Sequence, residues 1–256
     1  MSPGDGAAAR SLLQTKVREE VRAGRDVLSV SQTPPEERAL AYLKPCYELL
    51  EDRLKGEPGV LSVLVLVPTR EAAIRLKQEA ERLGQAGGYI VAACYRSGAA
   101  PLSCKREQLA AISTATILIA TPGKLKDLIN GGQVDLSRVF YLVLDGADKM
   151  LQMGLEPQVR DIIERVPSKR QSLMFSESLG SDVKKLAKDI LSNHRRFQLM
   201  LEPNRGSSVV MVNPKPQTER KAVKRSRPDD QRSAADKEKY LAYYDLCSLS
   251  KAWQIR

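Results

Sequence analysis

The chain of 256 residues is 42% hydrophobic and 28% charged, a composition that supports an ordinary buried core. Its apolar runs, Val63–Val67 among them, are strand-sized and far short of the roughly 20 residues that cross a bilayer, so no membrane partner is expected. Lys and Arg total 41 against 31 Asp and Glu, a formal net charge of +10 that points to a polyanionic partner.

That charge is unevenly placed. Residues 1–194 carry 27 basic and 24 acidic side chains, a net of +3, whereas residues 195–256 carry 14 and 7, a net of +7. The opening MSPGDGAAAR has no apolar stretch of the secretory kind. Cys46, Cys94, Cys104 and Cys247 show no metal-ligand spacing and read as reduced thiols of an intracellular protein. His194 is the sole histidine, which argues against a His-based triad and a His-rich metal site, and no metal site is predicted.

Short apolar runs alternate with helical patterns along the chain. Asp26–Val30 is read as the first strand, and Val63–Val67, rich in β-branched residues and closed by Pro68, as a strand buried on both faces. Thr69–Leu83 follows as a helix, with Ala72, Ala73, Leu76, Ala80 and Leu83 on one face. Next come a strand at Val91–Cys94, a helix at Lys105–Ile112, a strand at Thr116–Ala120 and a helix at Gly123–Ile129 stopped by Gly131-Gly132. Phe140–Leu144 is another buried strand; Pro157–Val166 is helical, Ser172–Phe175 a strand and Asp182–Leu191 a helix. This rhythm predicts an α/β fold, a parallel sheet between helical layers, with functional residues in loops at the carboxyl ends of the strands.

After residue 203 the composition changes. Residues 204–236 read as a basic, flexible linker with one extended piece at Val209–Val212, and 237–256 as an amphipathic helix presenting Tyr240, Leu241, Tyr244, Leu246 and Trp253. The domain proper is therefore placed at 1–203. The run from Arg220 to Arg227 suits a nuclear address, a non-specific RNA contact or a solvated linker.

Each strand end carries a short motif. In order these are Pro68-Thr69-Arg70, Ser97-Gly98, Thr121-Pro122-Gly123-Lys124, Asp145-Gly146-Ala147-Asp148 and Ser176-Glu177-Ser178. The series resembles the first RecA-like lobe of DEAD-box RNA helicases over about residues 11–200, closest in flavour to the Vasa-like and KH-domain-bearing branches. The resemblance implies a RecA-like sheet of the P-loop NTPase type and RNA contact through Pro68, Thr69, Arg70, Gly98, Thr121, Pro122, Gly123 and Lys124. It further implies an adenine-reading role for Gln14, which lies ten residues before Gly24, a role for Ser176 and Ser178 in coupling, and an ATP site at Gln14, Thr33 and Asp145.

Several positions depart from the family pattern. Where the family has A-x-T-G-S-G-K-T the chain reads Ser31-Gln32-Thr33-Pro34-Pro35-Glu36-Glu37-Arg38. Two prolines remove backbone donors from the phosphate cradle. One register puts Glu37 at the lysine position; a register with one inserted residue, matched by Leu40-Ala41-Tyr42, puts Arg38 there. In either, Glu36 and Glu37 stay beside the triphosphate, and a carboxylate about 4 Å from a phosphate charge costs about 4 kcal/mol at an effective dielectric of about 20. Gly146 replaces the glutamate that orients the attacking water, a loss worth about 10²–10⁴ in rate. Glu177 in the Ser176–Ser178 motif is expected to repel the last Asp of the tetrad, Asp148.

The chain stops at Arg256, near where a second lobe with its arginine finger would begin, a group worth about 10³–10⁵ in rate. The aromatic residue that stacks on adenine in the family falls upstream of Met1. Efficient ATP hydrolysis is thus not expected: Asp145 and Asp148 are vestiges of catalysis, and ATP or Mg²⁺ would bind weakly at most.

The expectation is a helicase-like scaffold or RNA-associated module, with RNA, ribonucleoprotein or protein partners and an address in the nucleus, nucleolus, cytoplasm or an organelle. The rivals are an active, truncated or divergent ATP-dependent RNA helicase, and an adaptor that binds only proteins through its last helix.

Overall fold

The computed structural model describes residues 3–54, 59–84, 87–96, 102–192, 194–202 and 206–212. The Ser97-Gly98 turn, the basic run at 220–227 and the amphipathic helix expected at 237–256 lie outside them.

The described chain opens with α1 (Pro3–Arg22), β1 (Asp26–Val30), α2 (Pro35–Leu54), β2 (Val63–Leu66), α3 (Arg70–Gly84) and β3 (Val91–Cys94). It continues through α4 (Leu102–Ser113), β4 (Ile117–Ala120), α5 (Pro122–Asn130), β5 (Tyr141–Asp145), α6 (Ala147–Gln152) and α7 (Glu156–Arg165). The last elements are β6 (Gln171–Ser176), α8 (Ser181–Ile190), β7 (His194–Glu202) and β8 (Gly206–Val212).

The strands form one sheet in the order β3-β4-β2-β5-β6-β1-β7-β8. Every neighbouring pair is parallel except β7 with β8, which is antiparallel with Phe197 opposite Met211. The sheet thus continues past residue 203 to Val212, and the extended piece read at Val209–Val212 falls within β8.

Successive side chains of a strand point to opposite faces, and here both faces are covered. Leu28, Val30, Leu64, Leu66, Leu142 and Leu144 join one apolar cluster with Leu125, Val159, Ile162 and Leu186 of the helices. Val27, Val63, Val65, Tyr141, Val143 and Phe175 join the other with Leu13, Val17, Tyr42, Leu43 and Leu76. This two-sided burial is why the strands read as continuous apolar runs. α1 contributes Leu13, Val17 and Val21, spaced four apart on one stripe. It is closed by Gly24, whose φ of +69° lets the chain turn straight into β1.

Asp26 ties the amino end of β1 to its surroundings. One carboxylate oxygen accepts the Ser172 N–H at 2.7 Å and the other the Ser192 N–H at 2.7 Å. Asp26→Ala leaves the buried Ser172 N–H and the more exposed Ser192 N–H without that acceptor and is expected to lower stability by about 1–3 kcal/mol. The check is a shift in the urea midpoint with an unchanged slope.

Candidate functional site

In the parallel sheet β5, β6 and β1 are consecutive, with Asp145 opposite Phe175 and Val30 opposite Ser176. Their carboxyl ends bring the Ser31–Pro34 loop, the Asp145–Asp148 turn and the Ser176–Ser178 turn together.

The loop after β1 is short and self-contained. The Ser31 N–H donates to the Ser176 carbonyl at 2.9 Å, and the Thr33 hydroxyl donates to the Ser31 hydroxyl at 2.9 Å. Pro34 and Pro35 then start α2 directly, with the N–H groups of Glu37 and Arg38 donating back to the Pro34 carbonyl. Proline suits a first helical position because its φ is already helical and it has no N–H to leave unpaired. The same feature removes two amides from the stretch that follows the strand.

Arg38 reaches from α2 to the carboxylate that ends β5. It is buried, 4% exposed; its Nε donates to Asp145 Oδ1 at 2.5 Å and its Nη1 to the Thr33 carbonyl at 3.1 Å. Asp145 Oδ2 accepts the Tyr42 hydroxyl at 2.9 Å. Arg38 and Tyr42 are four residues apart on α2 and so share a helix face, which places both donors on one carboxylate. Tyr42 is itself fixed: its ring packs 5.2 Å from that of Phe175, and its carbonyl accepts the Tyr141 hydroxyl.

Burial alone would lower the Arg38 pKa, but the facing Asp145 carboxylate more than offsets this and holds it above its ordinary value. Burial, reinforced by Asp145, pushes the Tyr42 phenol well above its usual value, so it stays protonated and donates. Glu37 is half-buried; Glu36, on the exposed first turn of α2, lines a cavity together with Arg38.

The expected repulsion between Glu177 and Asp148 is not found. Asp148 Oδ2 accepts both the N–H and the hydroxyl of Ser178 at 3.2 Å, while the Ser176 hydroxyl donates to the Ser178 carbonyl at 2.7 Å. This turn points Glu177 the other way, onto Lys149 at 2.6 Å and towards Arg38 at 3.7 Å. A continuous chain of polar contacts therefore runs from Tyr42 through Asp145, Arg38 and Glu177 to Lys149.

Gly146 is the N-cap of α6 with φ of +81°, a conformation that glycine adopts freely and side-chain-bearing residues adopt rarely. Beside it lies a cavity of about 260 Å³, bounded by Glu36 and Arg38 of α2, Arg75 and Glu79 of α3, and Lys149. Gln14 is not among the lining residues; it is half-buried on α1 and accepts a hydrogen bond from Lys44 at 3.1 Å.

The ends of β2, β3 and β4 form a second cluster. Thr69 caps α3 by accepting the Ala72 N–H at 3.2 Å, with half-buried Pro68 before it and exposed Arg70 after it. The Arg70 guanidinium lies 5.2 Å from the ring centroid of Tyr95, which follows β3. The Thr121 N–H donates to the Cys94 carbonyl at 2.9 Å, and Pro122 opens α5. Nothing lies within 4 Å of where a side chain on Gly123 would begin, and Lys124 is half-buried. Arg96 pairs with Asp127 of α5 at 2.8 Å. Cys46 and Cys94 are free and buried; burial pushes the Cys94 thiol up to about 12, so it is inert at neutral pH.

The family model described as DEAD/DEAH box helicase matches residues 11–186, more than half of the chain. The chain belongs to that family. It corresponds to the first RecA-like lobe of a DEAD-box helicase. Over 171 residues it is 40% identical to the ATP-dependent RNA helicase-like protein DB10 of Nicotiana sylvestris, covering 66% of this chain and 27% of that protein. Over 173 residues it is 39% identical to the ATP-dependent RNA helicase dbp3 of Aspergillus terreus, covering 66% and 34%.

Among solved structures, a hypothetical ATP-dependent RNA helicase from Sulfolobus tokodaii superposes with a TM-score of 0.63 at 27% identity, covering 77% of this chain and 57% of that one. A DEAD box protein from Methanococcus jannaschii gives 0.65 at 26%, covering 73% and 48%. The DEAD-box chain thus spans about a third or less of those two curated relatives. Among the described residues no helix is long and apolar enough to cross a membrane.

The site residue that the sequence did not single out is Tyr42. Its spacing of four from Arg38 was the available signal.

Proposed function

We propose that this DEAD-box lobe is an RNA-contacting or ribonucleoprotein scaffold module whose nucleotide site is closed by its own side chains. The observation that carries the reading is the occupancy of Asp145: one carboxylate oxygen is bonded to Arg38, the other to Tyr42. In the family this is the carboxylate that would hold Mg²⁺ with ATP, and the residues present do not fit that pair. A guanidinium already neutralises the carboxylate, Pro34 and Pro35 supply no amides to a phosphate, and Gly146 offers no base.

RNA is the partner favoured by the second cluster. Pro68, Thr69 and Arg70, with Thr121, Pro122, Gly123 and Lys124, set two cations along adjacent strand ends, with backbone amides at the start of α5 that no side chain caps. That is the donor set a phosphodiester backbone takes. Gly98 is proposed for the same RNA contact from its place in the motif series alone. Relatives named as ATP-dependent RNA helicases support the partner class. The basic segment 195–256, with a net charge of +7, would add non-specific affinity, and the apolar residues of 237–256 would serve a protein partner.

The test is filter binding of single-stranded oligouridylate to the full chain at rising salt. Affinity is expected to fall linearly on logarithmic axes, by about 0.7 per phosphate contacted, and to be unchanged by ATP and Mg²⁺. Absence of binding at low salt would favour the protein adaptor, and RNA-stimulated phosphate release the active helicase.

A further inference from the structure

We infer that Tyr95 is a positioning residue for RNA, holding the Arg70 guanidinium flat across the strand ends so that its N–H edge faces a phosphate. The inference rests on the RNA reading above and deepens it. In the sheet order β3-β4-β2, the strands that lead to Tyr95 and Arg70 are two apart, about 10 Å at ordinary strand spacing. Arg70 spans that distance. It starts at the first residue of α3 and ends 5.2 Å from the centroid of the Tyr95 ring, within the range where the ring face attracts a cation.

The side chain therefore lies over the turn that joins β4 to α5. This turn is itself anchored to β3 by the Thr121 bond to Cys94 and has open space above Gly123. The loop that carries the ring is pinned as well, because the next residue, Arg96, pairs with Asp127 of α5.

Electrostatics argue for an external anion. Arg70 sits at the amino end of α3, where the helix dipole disfavours a cation, and among the described residues no carboxylate is in salt-bridge contact with it. An aromatic face restrains the plane of a guanidinium while leaving its fork of N–H donors free, and a phosphate takes that fork edge-on. Lys124, on the first turn of α5, adds a second cation beside the same open turn.

The experiment measures oligouridylate binding by the full chain and by Y95L, Y95F, R70A and the double variant. Each variant is checked for an unchanged thermal midpoint. Y95L is expected to weaken binding about three- to tenfold, Y95F to leave it unchanged, and Y95L to have no further effect in the R70A background. R70K keeps the charge without the flat stacking surface; it should weaken binding in the unsubstituted chain and not in the Y95L background, which reads the coupling even if Y95L costs some stability.

Wild-type affinity in Y95L, or an equal loss from Y95L with and without Arg70, overturns the inference while leaving RNA binding intact. The second outcome would mean that Tyr95 stacks on a base directly. Absence of salt-dependent binding by the unsubstituted chain overturns the proposed function, and the inference with it.

Discussion

Arg38→Met is expected to lower the stability of the lobe by about 3–5 kcal/mol, because it leaves the Asp145 carboxylate buried without its cation. For a domain of this size that is a drop of about 10 °C or more in the thermal midpoint. Asp145 is 7% exposed, and without the guanidinium it keeps the Tyr42 hydroxyl as its hydrogen-bond donor. The single Asp145→Asn should also destabilise, since it leaves Arg38 charged and enclosed. The double R38M/D145N removes both charges together and should recover much of the loss. A double-mutant cycle by thermal or urea unfolding measures this directly: strong coupling is expected, and additive losses would mean that the pair does not act as a unit. Arg38→Lys keeps the charge but cannot bond Asp145 and the Thr33 carbonyl from one planar fork, so an intermediate loss is expected.

The second large effect is a rate that does not return. If the missing glutamate of the tetrad were the sole defect, Gly146→Glu would raise RNA-stimulated ATP turnover by about 10²–10⁴. No rise is expected. The substitution does not free Asp145 from Arg38 and Tyr42, and it restores no amide at Pro34 or Pro35. It also carries a stability cost: φ at Gly146 is +81°, and the new Cβ would come 3.4 Å from Pro68 Cγ. Strain of this kind costs about 1–2 kcal/mol. Phosphate release with and without RNA, paired with a melting curve, checks both halves.

The sheet was largely legible because its strands are buried on both faces and read as β-branched runs. Val91–Cys94 and Asp26–Val30 match the observed strands residue for residue. The motifs could be placed at strand ends for the same reason. Of the β7–β8 hairpin only the extended piece at Val209–Val212 was legible; β7 was not read as a strand. Its strands join the sheet by backbone pairing to β1 and to each other, and the alternation in the sequence did not announce a partner.

At the site, the sequence identified which residues had changed but not what the replacements do. Arg38 and Asp145 lie 107 residues apart, and neither register of the loop announced that the guanidinium would meet Asp145. Glu177 was misread for a related reason. Its neighbours in the motif meet Asp148, but the turn made by the Ser178 N–H and hydroxyl directs the Glu177 side chain to Lys149. Sequence spacing gives proximity along the chain; side-chain direction was set by hydrogen bonds formed only in the fold.

Arg38 and Tyr42 occupy the carboxylate on which Mg²⁺ and ATP would depend. Equilibrium titration of the full chain with a fluorescent ATP analogue in excess Mg²⁺, with and without single-stranded RNA, tests it most directly. No saturable binding is expected up to about 1 mM nucleotide, equivalent to a binding free energy no better than about −4 kcal/mol. Saturable micromolar binding that depends on Mg²⁺ and is lost in Asp145→Asn would contradict the account.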